Sequence, residues 1–160
     1  MSPFLLFKNL LFTVLVPGTF AVYLPMVIAG RTDARATGVG PLWLLGTGLL
    51  LVGTLIYMVC VLEFAARGRG TPAPIDPPRA LVISGLYRYV RNPMYLGVLC
   101  VVLGWTALTA SPALLVYSAI LWTAFQLFIT LYEEPALRRR FGEAYDRYCR
   151  DVRRWIPRRG

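Results

Sequence analysis

The sequence predicts an all-α integral membrane protein, with four transmembrane helices and a C-terminal amphipathic helix at the interface. Three observations predict it. Hydrophobic residues make up 57% of the chain, against about 45–50% in soluble domains. The excess lies in long runs that carry no charge, which is the pattern of membrane spans. The formal net charge is +9, and most arginines flank those runs. Basic flanks of this kind follow the positive-inside rule and meet anionic lipid headgroups. Membrane lipids are therefore the expected partners of the basic surface, and no nucleic-acid partner is expected.

The first run, Asn9 to Gly30, is long enough to cross a bilayer at 1.5 Å per residue. It exceeds the apolar core of a signal peptide and lacks a small-residue cleavage pattern, so it reads as a retained helix. Pro17 and Pro25 are expected to kink it. The second run, Ala36 to Leu62, is free of charge, and Pro41 suits a helix start. Gly46 and Gly53 lie two turns apart on one face, where a neighbouring helix can come close.

Glu63 to Arg91 is the longest hydrophilic stretch. Its density of proline and glycine excludes a continuous helix, and loops of this length are often functional. Asn92 to Tyr132 is again free of charge and too long for one span. Thr109-Ala110-Ser111-Pro112 divides it into a hairpin of two helices, near Pro93–Leu108 and Ala113–Tyr132. After Glu133-Glu134, the residues Leu137, Phe141, Tyr145, Tyr148, Cys149 and Val152 recur at helical spacing. They predict an amphipathic helix with Pro135 in its first turn. Arginines on its other face, and Trp155-Ile156 after it, place it along the membrane interface. The whole chain, 1–160, reads as one domain. Arginine counting puts both termini in the cytoplasm, with the Glu63–Arg91 loop on the same side.

The chain has no histidine. Ser-His and Cys-His nucleophiles, haem ligation by histidine and the usual zinc sites are thereby excluded. Cys60, Cys100 and Cys149 are widely spaced, show no metal-ligand pattern and read as buried packing residues. No metal is expected. Chemistry falls to carboxylates, tyrosines, arginines, Asn92, the backbone or a cofactor.

The topology brings such groups together. The helix starting at Pro93 begins at the face where its hairpin partner ends, so Ser84–Tyr95 and Glu133-Glu134 meet at one membrane boundary. Asn92-Pro93 suits an N-cap followed by proline at the first helical position. Two carboxylates at a helix end oppose the helix dipole. A cation must offset them, from Arg88, Arg91, Arg138–Arg140 or a ligand, unless they open the next helix.

The stretch from Ser84-Gly85-Leu86-Tyr87 to Arg91-Asn92-Pro93-Met94-Tyr95-Leu96-Gly97, with Glu133-Glu134 and Phe141-Gly142-Glu143-Ala144-Tyr145, resembles the isoprenylcysteine carboxyl methyltransferase and phospholipid methyltransferase superfamily. The resemblance covers roughly the C-terminal half. It implies an S-adenosylmethionine site built from about residue 79 onward. The cofactor-contacting positions fall on Arg79, Ala80, Leu81, Val82, Tyr87, Asn92, Pro93, Tyr95 and Glu133. The implied acceptor is a lipid or another lipophilic small molecule. An ionised acceptor needs no base; for a protonated amine, Glu134 or a tyrosine is the candidate, and Glu134 is the catalytic residue expected.

Two positions depart from the family pattern. Asn92 stands where the family has histidine, and asparagine cannot transfer a proton. Ile129 stands one turn before the glutamates, where isoprenylcysteine enzymes carry an arginine held to bind the substrate carboxylate. That substrate is therefore not carried over. Two other readings stand beside the methyltransferase. Sterol-type reductases using NADPH share the Arg-x-Pro-x-Tyr element, but here Gly97 is followed by Val98 where they continue with glutamate. A non-enzymatic membrane protein is the third; transporters usually carry ionisable groups within their spans.

Overall fold

The computed structural model describes residues 3–32, 34, 36–68 and 80–157, and among them the regular elements are helices, with no strand. α1 (Pro3–Leu15), a π-helical turn (Thr19–Tyr23) and α2 (Leu24–Arg31) form the first rod. α3 (Pro41–Glu63) follows, then α4 (Pro93–Thr109), α5 (Pro112–Phe128), α6 (Glu134–Phe141) and α7 (Glu143–Asp151). Three helical stretches are long and apolar enough to cross a membrane: Phe7–Arg31, Pro41–Ala66 and Pro112–Phe141. α4 is apolar but shorter, at 17 residues. Leu44, Leu51, Leu55, Leu115 and Ile120 are exposed on these rods, as lipid-facing side chains are. The chain is an integral membrane all-α protein.

The α3–α4 seam follows from four glycines. A Cβ on Gly53 would stand 2.6 Å from the Gly97 carbonyl, and one on Gly97 would stand 2.8 Å from the Gly53 carbonyl. Gly46 and Gly104 repeat this, each 2.9 Å from the other's carbonyl. The backbones therefore touch, as small residues allow between membrane helices. The glycine face expected on α3 is present, and α4 carries its complement.

The hairpin after α4 falls where the sequence places it. Ala110 takes a left-handed φ of 47°, and the Ser111 hydroxyl caps α5 by accepting from the Leu114 N–H at 3.4 Å. The next boundary differs from expectation. The last span does not stop at Tyr132 and restart at Pro135; the helix runs on to Phe141. Proline lacks an N–H and its ring collides with the carbonyl four residues back. Here a π-helical turn, Ile129–Glu133, lies before Pro135, with the Glu134 N–H bonded five residues back to the Ile129 carbonyl. The widened turn carries the helix past the proline. Pro25 is passed in the same way, with the Leu24 N–H bonded to the Thr19 carbonyl. The break comes instead at Gly142, whose φ is 52°.

α7 buries Tyr145 and Tyr148, which cluster with Val152 and pack against Leu81, Leu137, Phe141 and Cys149. The expected apolar stripe is thus real, and part of it covers the protein. After α7 the chain turns back. Val90 and Arg153 form an isolated parallel bridge, with Arg91 N–H donating to the Arg153 carbonyl at 2.9 Å and Asn92 N–H to the Arg154 carbonyl at 3.2 Å. The Trp155 indole donates to Gln126 Oε1 at 2.9 Å and its ring lies 4.5 Å from Trp122. Residues 152–156 form a strap that ties the start of α4 to the flank of α5.

Candidate functional site

A cavity of about 800 Å³ opens among the first rod, α4, α5, α6 and α7. Its apolar end is walled by Phe12, Val16, Phe20, Val98, Phe125 and Phe128. Its polar end holds Tyr87, Arg91, Asn92, Tyr95, Glu133, Glu134, Tyr145 and Tyr148.

The loop before α4 is fixed from α3. The Ser84 hydroxyl donates to Glu63 Oε2 at 2.7 Å. Gly85 has a φ of 56° and lies so close that a Cβ there would stand 2.7 Å from Glu63 Oε1. Only glycine meets both the backbone and the space requirement. The following turn, Gly85–Arg88, buries Tyr87. The Tyr87 ring meets Phe64 edge-on at 5.5 Å, and its carbonyl accepts from the Tyr148 hydroxyl at 2.7 Å. Burial holds the phenol pKa of Tyr87 well above its ordinary value, and raises those of Tyr148 and Tyr145. All three stay neutral hydroxyls near pH 7.

Asn92 occupies the N-cap position of α4 but makes no capping side-chain bond. Its amide donates to the Arg154 carbonyl at 3.4 Å, so the side chain joins the strap. Pro93 is buried in the first turn of α4, behind the cavity wall. One turn on, the Tyr95 hydroxyl donates to Glu133 Oε2 at 2.7 Å, and its ring meets Phe125 edge-on at 4.8 Å. Ile129 is buried at 1% exposure and adds to the apolar wall.

The two glutamates have different partners. Glu134 is buried. Arg154 grips it with both arms, Nε to Oε1 at 2.6 Å and Nη2 to Oε2 at 2.9 Å. Arg91 Nη1 lies 3.2 Å from Oε1 and 2.6 Å from Cys149 Sγ. The Glu134 contact raises the Arg154 pKa, so this guanidinium stays charged. Glu133 is half-buried, lines the cavity and has the Tyr95 hydroxyl as its hydrogen-bond partner. One carboxylate is thus neutralised by arginine, and its neighbour is held by a neutral phenol.

Of the positions expected to form a site, Leu81, Val82, Tyr87, Asn92, Tyr95, Glu133 and Glu134 share this one cavity. Ala80 is exposed and off its wall, and Arg79 lies outside the described residues. Sequence reasoning missed Arg154, which has no apolar spacing or motif to mark it. It also missed the aromatic contribution of the first rod, because periodicity shows that Phe12 and Phe20 are membrane residues and not which neighbour they face.

Fold and site together define a class: an integral membrane protein with an internal cavity charged at one end and aromatic at the other. The phospholipid methyltransferase family profile matches residues 42–144, more than half of the chain, and the chain belongs to that family. Among curated relatives, the protein-S-isoprenylcysteine O-methyltransferase of Schizosaccharomyces pombe is 38% identical over 78 residues, covering 48% of this chain and 33% of that protein. A probable protein-S-isoprenylcysteine O-methyltransferase of Oryza sativa subsp. indica is 28% identical over 117 residues, 70% of this chain and 59% of that protein. The delta(14)-sterol reductase of Mus musculus is 32% identical over 80 residues, 49% of this chain and 19% of that protein. The match thus spans between a third and three-fifths of the two methyltransferases. No solved structure matches the chain significantly.

Proposed function

We propose that this chain is an S-adenosylmethionine-dependent methyltransferase acting on a lipophilic acceptor at the cytoplasmic membrane face. The chain is then one domain of four spans, α4 being the fourth, with both termini in the cytoplasm and the cofactor part at about 79–160. The observation that carries the reading is the single cavity whose polar end holds Glu133 beside Tyr95 and whose other end is a wall of phenylalanines.

The residues present fit such a cofactor. Among the described residues no arginine pairs with Glu133, whose hydrogen-bond partner is the Tyr95 hydroxyl, so a cationic or hydroxyl-bearing ligand group would gain a charged hydrogen bond there. Bound at this end, the cofactor would supply an electrophilic methyl group on a sulfonium. Tyr95 sets the direction of the Glu133 carboxylate. Tyr87, with Leu81 and Val82, walls the polar end, and Asn92 with Pro93 ties that wall to α4. The phenylalanine wall takes the apolar body of the acceptor and keeps water from the meeting point, so orientation carries most of the rate. Glu134, the carboxylate expected to be catalytic, has its oxygens engaged by Arg154 and Arg91. We assign it a positioning role, since accepting a proton would release both arginines. No arginine stands at Ile129, and a free carboxylate drawn into that apolar wall would be desolvated beside Glu133. The acceptor is therefore a lipid or quinol-like molecule whose reacting group is not a free carboxylate.

The partial match to a sterol reductase supports a second reading, with a nicotinamide cofactor in the same cavity. Calorimetry of the purified protein separates them. Binding of S-adenosylhomocysteine and none of NADPH is expected. The reverse would replace the methyltransferase reading with the reductase.

A further inference from the structure

The first rod precedes residues 42–144, the part of the chain that the family profile matches, and its two halves are held differently. α2 packs against α5 and α4, whereas α1 packs on the turn Phe64–Gly68 that follows α3. Between the halves the helix is interrupted. α1 ends at Leu15, the helix breaks at Val16, and Pro17 offers no N–H to the Thr13 carbonyl. Gly18 and the π-helical turn Thr19–Tyr23 follow at once. Proline, glycine and π-helical turns are the places where helices bend.

Each half carries a polar clasp. In the π-helical turn the Leu24 N–H goes to the Thr19 carbonyl, and Pro25 has no N–H to give. The Phe20 carbonyl is left without a helical donor, and the Tyr117 hydroxyl of α5 donates to it at 2.7 Å. Breaking that bond would strand a backbone carbonyl within the membrane, which is costly. On the other half, the Thr13 hydroxyl donates to the Asn9 carbonyl at 2.7 Å. The Tyr57 hydroxyl of α3 therefore donates to Thr13 Oγ1, at 2.9 Å. Breaking this bond strands no backbone group, and Tyr57 already lines the cavity. Val16 and Phe20 of the first rod, with Phe128 and Tyr132, line the cavity and are also exposed. They belong to two membrane-crossing stretches, Phe7–Arg31 and Pro112–Phe141, so this edge of the cavity faces lipid.

We propose that the first rod is a hinged side gate: α1 swings on Val16–Gly18 while α2 stays clasped to α5, opening the cavity to the bilayer. The Tyr57 bond is the latch and the Tyr117 bond holds the fixed half. The inference goes beyond the methyltransferase reading and holds for either cofactor. A molecule dissolved in the bilayer then enters without passing the exposed arginines at the cavity mouth, Arg139 and Arg140.

The test reads alkylation of single added cysteines in the full chain, in phosphatidylcholine vesicles, by the bilayer-soluble N-cyclohexylmaleimide. Tandem mass spectrometry separates each site from Cys60, Cys100 and Cys149. Val98→Cys reports the cavity. Ala21→Cys reports the buried cluster beyond the hinge, where Ala21 meets Val102 and Leu121. Tyr57→Phe keeps the ring and removes the latch. It should speed alkylation of Val98→Cys about twofold to tenfold, the worth of one neutral hydrogen bond, and leave Ala21→Cys unchanged. Pro17→Ala restores the missing N–H and should slow alkylation of Val98→Cys. No effect of Tyr57→Phe at Val98→Cys overturns the proposal. Equal acceleration at both sites means that the rod loosens as one piece, and overturns it as well. An unchanged rate in Pro17→Ala removes the hinge and the proposal with it. Equal acceleration of a sulfonated maleimide, confined to water, would place the opening at the aqueous mouth and also overturn it. None of these results bears on which cofactor is bound, so failure of the gate and failure of the methyltransferase reading are distinct.

Discussion

The two sides of α4 are packed by opposite means. Toward α3, Gly97 and Gly104 meet Gly53 and Gly46 with backbone against backbone. Toward the first rod and α5, Tyr95 and Val98 border a cavity of about 800 Å³ walled by large aromatic side chains. One side excludes everything, and the other holds space open with rings that do not fill it. A short helix of 17 residues is thus packed tightly on one flank and bordered by open space on the other. Side-chain size, and not overall hydropathy, separates scaffold from site in this fold.

The largest expected effect is at the seam. Gly53→Val places its Cβ 2.6 Å from the Gly97 carbonyl, a backbone atom that cannot step aside. Such overpacking costs about 1–3 kcal/mol, and thermal unfolding in detergent should show it. An unchanged midpoint would mean that the α3–α4 contact is not the scaffold.

On the cavity side the same kind of measurement should give less. Phe12→Ala removes a ring that faces open space on one side. The loss should be about 1 kcal/mol, below the roughly 3–5 kcal/mol of a fully packed phenylalanine. Binding of an apolar ligand, read by displacement of a fluorescent lipid, should weaken more than stability does. A loss on the scale of a packed core residue would mean that the cavity closes in solution.

The smallest effect is expected at Asn92. A capping asparagine is worth about 1 kcal/mol, but here the side chain makes no cap and donates one long bond, 3.4 Å, to the strap. Asn92→Ala should cost less than that in the same unfolding assay. A full capping loss would show that the N-cap bond forms in solution.

The sequence made the spans legible because membrane helices depend on composition over short windows, and the apolar runs carry that information locally. The hairpin at Ser111-Pro112, the glycine face of α3 and the buried stripe of α7 were legible for the same reason, since each is a matter of spacing along one element. The meeting of Tyr95 with Glu133 followed from topology, once the hairpin put both at one boundary. The rest depends on partners distant in sequence. Asn92 has the residue type of a cap, yet its amide is drawn to Arg154, 62 residues later. Arg154 looks like one more basic flank until Glu134 is seen in its grip. Pro135 signals a helix start by residue type, but the π-helical turn before it lets the span continue, and no propensity marks that choice. Arg79 lies outside the described residues, so its place at the site stands on the resemblance alone.

The central claim is that the open flank of α4 is a cofactor site organised by Glu133. Calorimetry of wild type and Glu133→Gln with S-adenosylhomocysteine tests it most directly. The substitution keeps the shape and the Tyr95 partner and removes the charge. Affinity should fall by about 1.5–3 kcal/mol, with the unfolding midpoint unchanged or raised, because a buried carboxylate and its repulsion with the neighbouring Glu134 are removed. Equal affinity in the two proteins would contradict the account and leave Glu133 a structural residue.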